Sequence, residues 1–260
     1  MARGQPLDTL GVGCSCRSHS GRSERGTQIP PQVIPPNRLN PFPTQVKITA
    51  NPNCDHEELL AWEAGWRLQL NERVSFDLAS YLNVYDGIRS VEPPRSHVEF
   101  VPMPHVVYES VSGNGIQGQT RGLEAVVNWQ PSPGWQLQAS WATIAYDIKL
   151  SAGSLDFNSL EAIPGSTPRN EFKLFSRLHL GSDWSIDTFV WHQTELTAIG
   201  IPAYTGVNMR LAWHPDSHWE LELVGQDLLD PHHPEFPPTY LGGPTQEVPR
   251  SLRLNFTWRH

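Results

Sequence analysis

Long segments in which apolar and polar residues alternate constrain this chain more than any other feature of its sequence. The apolar positions recur at every second residue, which is the period of a β-strand with one apolar and one polar face. The clearest examples are Trp219-Leu221-Leu223, Leu252-Leu254-Phe256-Trp258, Val207-Met209-Leu211-Trp213, Phe172-Leu174-Ser176-Leu178-Leu180 and Trp135-Leu137-Ala139-Trp141. The pattern predicts antiparallel strands with two unlike faces.

The connections between these segments alternate between short turns and longer loops. Short turns are predicted at residues 71–73, 130–134, 181–183 and 214–218, and longer connections near 89–115, 151–167, 197–203 and 230–246. The segments between them are 57–70, 74–88, 116–129, 135–150, 168–180 and 184–196. They exceed the roughly 5–6 residues common in soluble strands and suit the ~9–11 residues of a membrane-crossing strand. We therefore predict an all-β, antiparallel, up-and-down transmembrane β-barrel, present in part as about nine long strands.

Tryptophans lie beside the predicted short turns. Trp129 and Trp135 flank one turn, Trp213 and Trp219 flank another, and Trp184 follows a third. Such positions are typical of the aromatic girdle where a barrel meets the membrane surface. The opposite phase is polar and contains Asp77, Glu124, Asn128, Gln136, Gln138, Lys173, Arg177, Asn208, Arg210, Glu220, Glu222, Arg253 and Arg259. We predict that the apolar phase faces lipid and the polar phase faces the lumen.

Composition excludes several other classes of protein. The formal net charge of −8 leaves no basic surface for a phosphate backbone, so nucleic acid is not an expected partner. Three cysteines, Cys14, Cys16 and Cys54, form neither a paired disulfide framework nor a four-ligand zinc site. Residues 1–50 are rich in Pro, Ser, Arg and Gly and are predicted to be disordered or loop-like, without a secretory signal, whereas 51–260 form the barrel part.

Catalytic and metal-binding motifs are not recognisable. The chain shows no phosphate-binding glycine loop, no supported pair of catalytic carboxylates and no Ser/His/Asp signature, so we expect no enzymatic activity and no cofactor. Two groups resemble metal ligands, His232-His233 and Cys54-Asp55-His56. Adjacent residues of an extended strand point in opposite directions, and no partner spacing follows, so a metal site is not predicted.

A series of short motifs runs in a fixed order from residue 51 to the end of the chain. The motifs are Asn51-Pro52-Asn53, Glu57-Glu58-Leu59-Leu60-Ala61-Trp62-Glu63, Gly65-Trp66-Arg67, Asn83-Val84-Tyr85-Asp86, Arg89-Ser90, Asn114-Gly115 with Gly118, Thr120, Gly122 and Glu124, Ile201-Pro202-Ala203-Tyr204, Arg210-Leu211-Ala212-Trp213, residues 221–230, His233-Pro234-Glu235-Phe236 and Phe256-Thr257-Trp258-Arg259. This series resembles the C-terminal strands of TonB-dependent outer-membrane receptors.

The resemblance implies a location in the bacterial outer membrane and a 22-stranded barrel closed by an N-terminal plug. It also implies import of a scarce ligand such as a ferric siderophore, with energy relayed by TonB through the plug. The implied partners are outer-membrane lipid, the ligand and the TonB system. The sequence shows no plug and no TonB-contacting segment, and it ends in His260 where such receptors usually end in an aromatic residue. We expect a truncated barrel portion that does not transport alone, with unknown ligand-binding residues.

Two other functions stay open at this point. One is a soluble β-sandwich carbohydrate-binding module of lectin type, which would remain soluble without detergent. The other is a small autonomous outer-membrane pore, which would need an even strand number and an export signal. Reading residues 12–21 one base later permits Trp-Ala-Val-Arg-Ala-Val-Arg-Thr-Pro, which resembles a strand that the family carries upstream. In that case Cys14, Cys16 and His19 carry no chemistry.

The turn positions also predict a strand register and a protease-sensitive region. Counting outward from turn centres at Asp216 and Ser132 gives four directly opposite pairs, which are Trp213–Trp219, Arg210–Glu222, Trp129–Trp135 and Asn128–Gln136. The members of each pair are expected on one face of the sheet. Residues 1–50 are expected to be cleaved before residues 203–229.

Overall fold

The structure, a computed structural model, describes residues 32–34, 42–236 and 246–259. Its secondary structure consists of strands and one helix. In chain order these are β1 (Gln32–Ile34), β2 (Thr44–Thr49), β3 (Glu58–Asn71), β4 (Val74–Val91), β5 (Arg95–Glu99), β6 (His105–Ser132), β7 (Trp135–Leu150), α1 (Phe157–Gly165), β8 (Asn170–Leu180), β9 (Trp184–Gln193), β10 (Tyr204–Trp213), β11 (Trp219–Gln226), β12 (His232–Phe236), β13 (Gln246–Pro249) and β14 (Ser251–Trp258).

Nine strands form one meander in which each strand pairs with the next. The order is β3-β4-β6-β7-β8-β9-β10-β11-β14, and every neighbouring pair is antiparallel. This confirms the prediction of about nine long strands that run up and down. Within the described part of the chain, the edge strands β3 and β14 each have a single neighbour. The sheet is therefore an open section of a barrel wall.

The short and long connections lie at opposite ends of the strands, as predicted. The short turns are residues 72–73, 133–134, 181–183 and 214–218, and we call the end of the sheet that carries them the short-turn side. The long connections at the other end of the strands, the loop side, comprise residues 92–104, 151–169 and 194–203, together with the described residues 227–236 and 246–250 between β11 and β14. The predicted segments agree with the observed strands to within a few residues, except that β6 begins at His105 instead of near residue 116.

The extra length of β6 supports a small second patch of sheet on the loop side. β2 pairs with residues 106–111 of β6 in parallel, and β5 pairs with residues 105–109 in antiparallel orientation. β1 pairs with β2. Residues 44–49 thus form a strand within the segment predicted to be loop-like, because β6 offers them backbone partners. Residues 1–31 and 35–41, which carry most of that prediction, lie outside the described residues.

Two elements within the long connections have no counterpart in the sequence prediction. Helix α1 lies between β7 and β8, and its first turn is capped by Asp156, whose Oδ1 accepts a hydrogen bond of 3.1 Å from the Ser159 amide. The hairpin of β12 and β13 lies between β11 and β14. Both connections therefore contain regular secondary structure within their described residues.

The two faces of the sheet are as unlike as the alternation predicts. Strand pairings place all the polar residues predicted to share a face on one side, which we call the polar face. The other side, the apolar face, carries pairs such as Leu223–Leu254 and Trp184–Trp213, whose rings stack at 5.8 Å. Trp129 and Trp219 also lie there beside short turns and remain 47% and 43% exposed. The predicted difference between the two faces is confirmed, and tryptophans lie on the apolar face beside the short turns as predicted.

The predicted register is wrong by two residues at both hairpins, although the predicted faces are right. Trp213 lies opposite Leu221 instead of Trp219, and Arg210 lies opposite Val224 instead of Glu222. At the other hairpin, Trp129 lies opposite Leu137 and Asn128 opposite Gln138. A shift of two residues leaves every side chain on its original face.

Local hydrogen bonds explain the shift. The Asp216 carboxylate accepts hydrogen bonds from the amides of His218 (2.7 Å) and Trp219 (3.2 Å), so those amides are not available to β10. At the other hairpin the turn closes at residues 133–134, and an irregularity lies between Trp129 and Ser132. Pro131 lies within it and has no N–H to donate, which favours a bulge.

The sheet has no second layer packed against it in the described part of the chain. Its fully buried apolar side chains are few, comprising Val107, Ile116, Ile201 and Ala212. A β-sandwich needs two sheets that bury a shared core, so this arrangement does not support the soluble lectin-type alternative. Among the described residues, no helix has the length and apolar character needed to cross a membrane.

Candidate functional site

An ionic cluster centred on Arg210 occupies the polar face near the short-turn side. Its Nε donates a hydrogen bond of 2.7 Å to Glu222 Oε1 on β11. Its Nη1 lies 3.4 Å from Asp187 Oδ2 on β9, and its Nη2 lies 3.2 Å from Glu220 Oε1. Glu220 is only 9% exposed, so its charge depends on these partners and not on water alone.

Each carboxylate of this cluster has a second partner. Arg177 on β8 donates a hydrogen bond of 2.8 Å to Asp187, and Arg259 after β14 donates one of 2.7 Å to Glu220. His214 Nε2 lies 3.2 Å from Glu220, and Asn255 donates a hydrogen bond of 3.2 Å to Glu222. The network therefore joins the last five strands of the meander, β8 to β14, across a surface that water can reach. Such a surface is typical of a barrel lumen and is incompatible with contact to hydrocarbon.

Aromatic rings cover two glycines on the same polar face. Gly206 lies directly opposite Trp191, and a Cβ added to Gly206 would overlap the Trp191 indole. Gly122 lies opposite Tyr81 in the same way. Trp191 also stacks on Phe189 with ring centroids 5.4 Å apart. These glycines permit a close approach of rings to the backbone, and the rings in turn cover backbone that would otherwise be open.

A buried histidine lies between this aromatic region and the long connections of the loop side. His233 is 6% exposed, and its ring centroid lies 4.5 Å from that of Tyr204. His233 Nε2 lies 3.0 Å from Glu235 Oε1, and the Tyr204 hydroxyl donates a hydrogen bond of 3.3 Å to the same oxygen. Asp227 begins the outer connection nearby with a φ of 53°. Burial raises the pKa of the Asp227 carboxyl, while His233 opposes that rise and Glu235 adds to it.

Carboxylates also fix the connection that contains α1. Glu92 Oε1 accepts a hydrogen bond of 2.7 Å from the Ser154 hydroxyl, and Glu92 Oε2 accepts one of 2.8 Å from the Leu155 amide. Asp156, which is 2% exposed, accepts a hydrogen bond of 2.6 Å from the Val91 amide. These bonds hold the connection between β7 and β8 against the outer end of β4.

The segment 51–58 is held in place by the Asn114 side chain. Asn114 Oδ1 accepts a hydrogen bond of 2.7 Å from the Asp55 amide, and its Nδ2 donates to the carbonyls of Asp55 (3.0 Å) and Gly87 (2.7 Å). His56 lies 2.9 Å from Glu58 and 2.7 Å from Asp55. The hydrogen bond to Glu58 and then those to Asp55 raise the pKa of His56. The Cys54 amide in turn donates a hydrogen bond of 3.0 Å to the Asn51 carbonyl, so the quoted motif at residues 51–53 lies beside the segment that Asn114 holds.

The two histidines considered as metal ligands at residues 232–233 do not converge. His232 is exposed and pairs with Glu247 at 2.9 Å, whereas His233 is buried beside Tyr204. In the described part of the chain, no three His, Cys, Asp or Glu side chains form a group that could hold a metal ion. Cys14, Cys16 and His19 lie outside the described residues.

Sequence reasoning identified the polar face but not the cluster of Tyr204, His233 and Glu235. Alternation along single strands gives no signal for a contact between β10 and the short strand β12. The only available signal was that these residues belong to two of the quoted motifs, at 201–204 and 233–236.

Comparisons with known proteins agree with this architecture. The family described as "TonB dependent receptor-like, beta-barrel" matches residues 25–228. No curated protein matches the sequence. Among solved structures, similarity extends to the siderophore receptor PiuA from Acinetobacter baumannii, with 15% identity, a TM-score of 0.57 and coverage of 80% of this chain and 30% of that one.

Two further structures are similar in the same way. One is the ferripyoverdine receptor of the outer membrane of Pseudomonas aeruginosa, with 15% identity, a TM-score of 0.52 and coverage of 79% of this chain and 27% of that one. The other is the copper transporter OprC, with 13% identity, a TM-score of 0.55 and coverage of 80% and 33%. At these identities the likeness shows the fold. The chain spans about a third or less of the length of each structure.

Proposed function

Because this chain belongs to the TonB-dependent receptor β-barrel family of the bacterial outer membrane, we propose that it is the C-terminal barrel portion of a receptor that takes up a scarce ligand such as a ferric siderophore. Members of this family are transporters. We accordingly propose a role in binding and passage of the ligand and not in catalysis.

The sidedness of the nine-stranded sheet is the observation that carries this proposal. An apolar face with tryptophans at the short-turn side suits contact with outer-membrane lipid. The polar face, with its network around Arg210, suits the wall of an aqueous lumen. The long connections lie at the opposite ends of the strands from the short turns. With the short turns on the periplasmic side, the long connections face the outside of the cell.

We propose that the ligand contacts the outer part of the polar face. Phe189, Trp191 and Tyr204 present aromatic rings there, and His233 with Glu235 adds polar groups. Aromatic surfaces with a few fixed polar groups are typical of small-molecule sites. The connections tied down by Glu92 and Asn114 would form the rim of this region.

We further propose that this chain does not transport by itself. It spans about a third or less of the solved receptors that it resembles, and its sheet has two unpaired edges in the described residues. Unpaired backbone groups are costly in hydrocarbon, so a stable barrel requires further strands. Energy from the TonB system would reach the ligand only through a plug, as in the family.

A growth assay tests this proposal. The chain, fused to an added export signal, is expressed in a strain that lacks its own siderophore receptors, and iron-limited growth is measured with a ferric siderophore as the iron source. We expect no rescue from this chain alone, while an intact receptor of the family restores growth. TonB-dependent rescue by this chain alone would refute the claim that it needs the rest of a receptor.

A binding assay tests the proposed ligand region separately. Tyr204→Phe and His233→Gln are expected to weaken the quenching of tryptophan fluorescence by a ferric siderophore, because Trp191 lies beside Tyr204, whose ring contacts His233. Arg253→Gln, on the polar face of β14 and in line with Arg210 instead of Tyr204, is the matched control and is expected to leave quenching unchanged. Equal quenching in all variants would place the ligand elsewhere.

A further inference from the structure

The patch of sheet on the loop side ends in a strand with one open edge. In the described part of the chain, β5 pairs with β6 alone, and all its residues are exposed. The Val106 amide of β6 donates a hydrogen bond of 3.0 Å to the Pro43 carbonyl beside β2, so the backbone groups of Val106 point away from β5. Val98 lies opposite Val106, so its amide and carbonyl point to the open edge, as do those of Ser96.

The charges of β5 are only partly matched within the chain. Glu99 contacts histidines, the nearer being His97, whose Nε2 lies 3.2 Å from Glu99 Oε1. Arg95 lies opposite Glu109, but Glu109 pairs with Lys47 at 3.3 Å instead. Among the described residues, Arg95 has no ion-pair partner, and Glu99 has no lysine or arginine beside it. β5 therefore begins with an unmatched cation and ends with a carboxylate that can accept one.

Two copies of β5 match each other's charges. In an antiparallel pair centred on His97, Arg95 of each copy lies opposite Glu99 of the other copy, on one face of the sheet. The pair then contains two ion pairs related by a two-fold axis, and the two His97 side chains meet at its centre. This complementarity of the strand with itself indicates a second copy as the partner.

The backbone and the apolar flanks fit the same register. It places Ser96 opposite Val98, so the amides and carbonyls at the open edge would form hydrogen-bonded pairs between the copies. It also places Pro94 opposite Phe100, which is 73% exposed, and the Phe100 amide would donate to the Pro94 carbonyl. Because Pro94 has no N–H, this position leaves no amide donor unpaired.

We propose that β5 docks to β5 of a second copy of this chain in this register. A five-residue strand pair is small compared with stable interfaces, which bury roughly 1,200–2,000 Å², so one pair binds weakly. Many such pairs between two surfaces act together, and their combined affinity exceeds that of one pair. The docking edge therefore suits contact between arrays of copies.

The direction of β5 determines how the two copies face each other. β6 is continuous from His105 to Ser132 and runs toward the short-turn side, so β5 runs away from that side. The two-fold axis of an antiparallel pair is perpendicular to its strands, so the short-turn sides of the two copies point in opposite directions. Copies in one outer membrane carry their short turns on the same side. The paired copies therefore lie in two membranes whose outer surfaces face each other, which rests on the barrel-wall role proposed above but not on the ligand.

Exchange of charges tests the pairing in vesicles of dilauroylphosphatidylcholine that contain the full chain. Two vesicle populations carry lipids of different colours, and fluorescence cross-correlation measures the fraction that diffuses together. Arg95→Glu and Glu99→Arg each place like charges opposite one another when both populations carry the same variant. Mixing a population of one variant with a population of the other restores opposite charges at both positions. Glu161→Arg, an exposed charge reversal on α1, is the matched control.

The expected result is clustering by the unchanged chain and by Glu161→Arg. Each β5 variant alone should reduce clustering about tenfold or more, and the mixed variants should restore it to within about twofold of the unchanged chain. Equal clustering in all samples, or no recovery in the mixture, would overturn the proposal. Samples are compared once amide hydrogen exchange shows protected β6 and β7, so absence of clustering by the unchanged chain would also overturn it. The readout needs neither ligand nor transport, so it is independent of the proposed function.

A single cysteine tests the register and the orientation. With the native cysteines replaced by serine, His97→Cys places two cysteines directly opposite each other, with Cα atoms about 4.5 Å apart and within reach of a disulfide. Val98→Cys is the control, because its two copies would lie on a diagonal about 7–8 Å apart. We expect about tenfold or more disulfide-linked dimer from His97→Cys in clustered vesicles. Equal yields would refute the register, and dimers in unclustered vesicles would refute the orientation.

Two other occupants of the edge are tested in the same system. Capture of protein-free vesicles would show that Phe100 and Val101 insert into the opposite lipid surface, which would overturn the proposal. The N-terminal segment is tested by deleting residues 1–31 and measuring amide exchange in unclustered vesicles. Ser96 and Val98 amides that are protected in the full chain but not after the deletion would show that this segment covers the edge, which would also overturn the proposal.

Discussion

Replacing Gly206 with alanine tests whether the aromatic cover on the polar face is a close-packed contact. In a strand, alanine is normally more stable than glycine by roughly 0.5–1 kcal/mol, because glycine loses more backbone entropy on folding. At this position, however, the new Cβ would overlap the Trp191 indole, which stacks on Phe189 at 5.4 Å. The sign of the effect therefore depends on whether the ring can move.

The magnitude follows from the two opposing effects. Forcing an added methyl group into a packed contact costs about 1–3 kcal/mol, and the propensity gain of roughly 0.5–1 kcal/mol offsets part of it. We expect Gly206→Ala to destabilise the local pairing of β9 and β10 by about 0.5–2 kcal/mol. In a Trp191→Ala background the overlap is absent, and the same substitution should then stabilise the pairing by roughly 0.5–1 kcal/mol.

Amide hydrogen exchange of the vesicle-inserted protein measures this local stability. Protection of the β9 and β10 amides should be lower in Gly206→Ala than in the unchanged chain. When the same substitution is added to Trp191→Ala, protection should rise above that of Trp191→Ala alone. Protection of β4 and β6 amides serves as the internal control, since those strands lie on the far side of the sheet. A rise in protection on Gly206→Ala in the otherwise unchanged chain would refute the close contact between Gly206 and the indole.

Three further outcomes follow from other contacts. Arg210→Met should lower the free energy of opening of β10 and β11, measured by amide hydrogen exchange, by about 1–3 kcal/mol, because Glu222 has no other cationic partner among the described residues. Adding Glu222→Gln should restore most of this loss. Asn114→Ala removes three hydrogen bonds, each worth about 1 kcal/mol, and should increase proteolysis within residues 51–57 at least about tenfold, whereas Ser112→Ala should not. Because the pKa of His56 is raised in the folded protein, its ion pairs with Glu58 and Asp55 stabilise residues 51–58 fully below pH 6.5. This stabilisation is lost as the pH rises through the folded-state pKa. Exchange of those amides should therefore increase with pH more than chemical exchange alone requires, and His56→Gln should remove that excess.

The sequence was sufficient for the faces and the order of the long strands because both follow from local pattern. Each of the segments around Trp135, Trp213 and Trp219 alternates for long enough that only one face can be apolar. The turns were recognisable from Pro, Gly, Asp and Ser, and strands linked by short turns must be neighbours. These features required no knowledge of distant contacts.

The register and the loop-side contacts were not predictable in the same way. The register depends on how Asp216 uses the amides of His218 and Trp219, which residue counting does not include. Helix α1 has only 9 residues and contains Pro164, so it lacks a long amphipathic pattern, and its position depends on the bond from Val91 to Asp156. The contact of Tyr204 with His233 joins residues from separate elements, so no periodicity indicates it.

Most tryptophans lie on the apolar face near the short turns, so intrinsic tryptophan fluorescence can report how deeply the protein is inserted in the membrane. Trp129, Trp184, Trp213 and Trp219 should all sit near one bilayer surface, while Trp191 on the polar face is shielded from lipid by the sheet itself. Brominated acyl chains quench indole fluorescence according to depth, so the emission of the native sequence would report tilt and insertion without an added label. A tilt of the sheet would move these rings to unequal depths, and a uniform sinking would move them together.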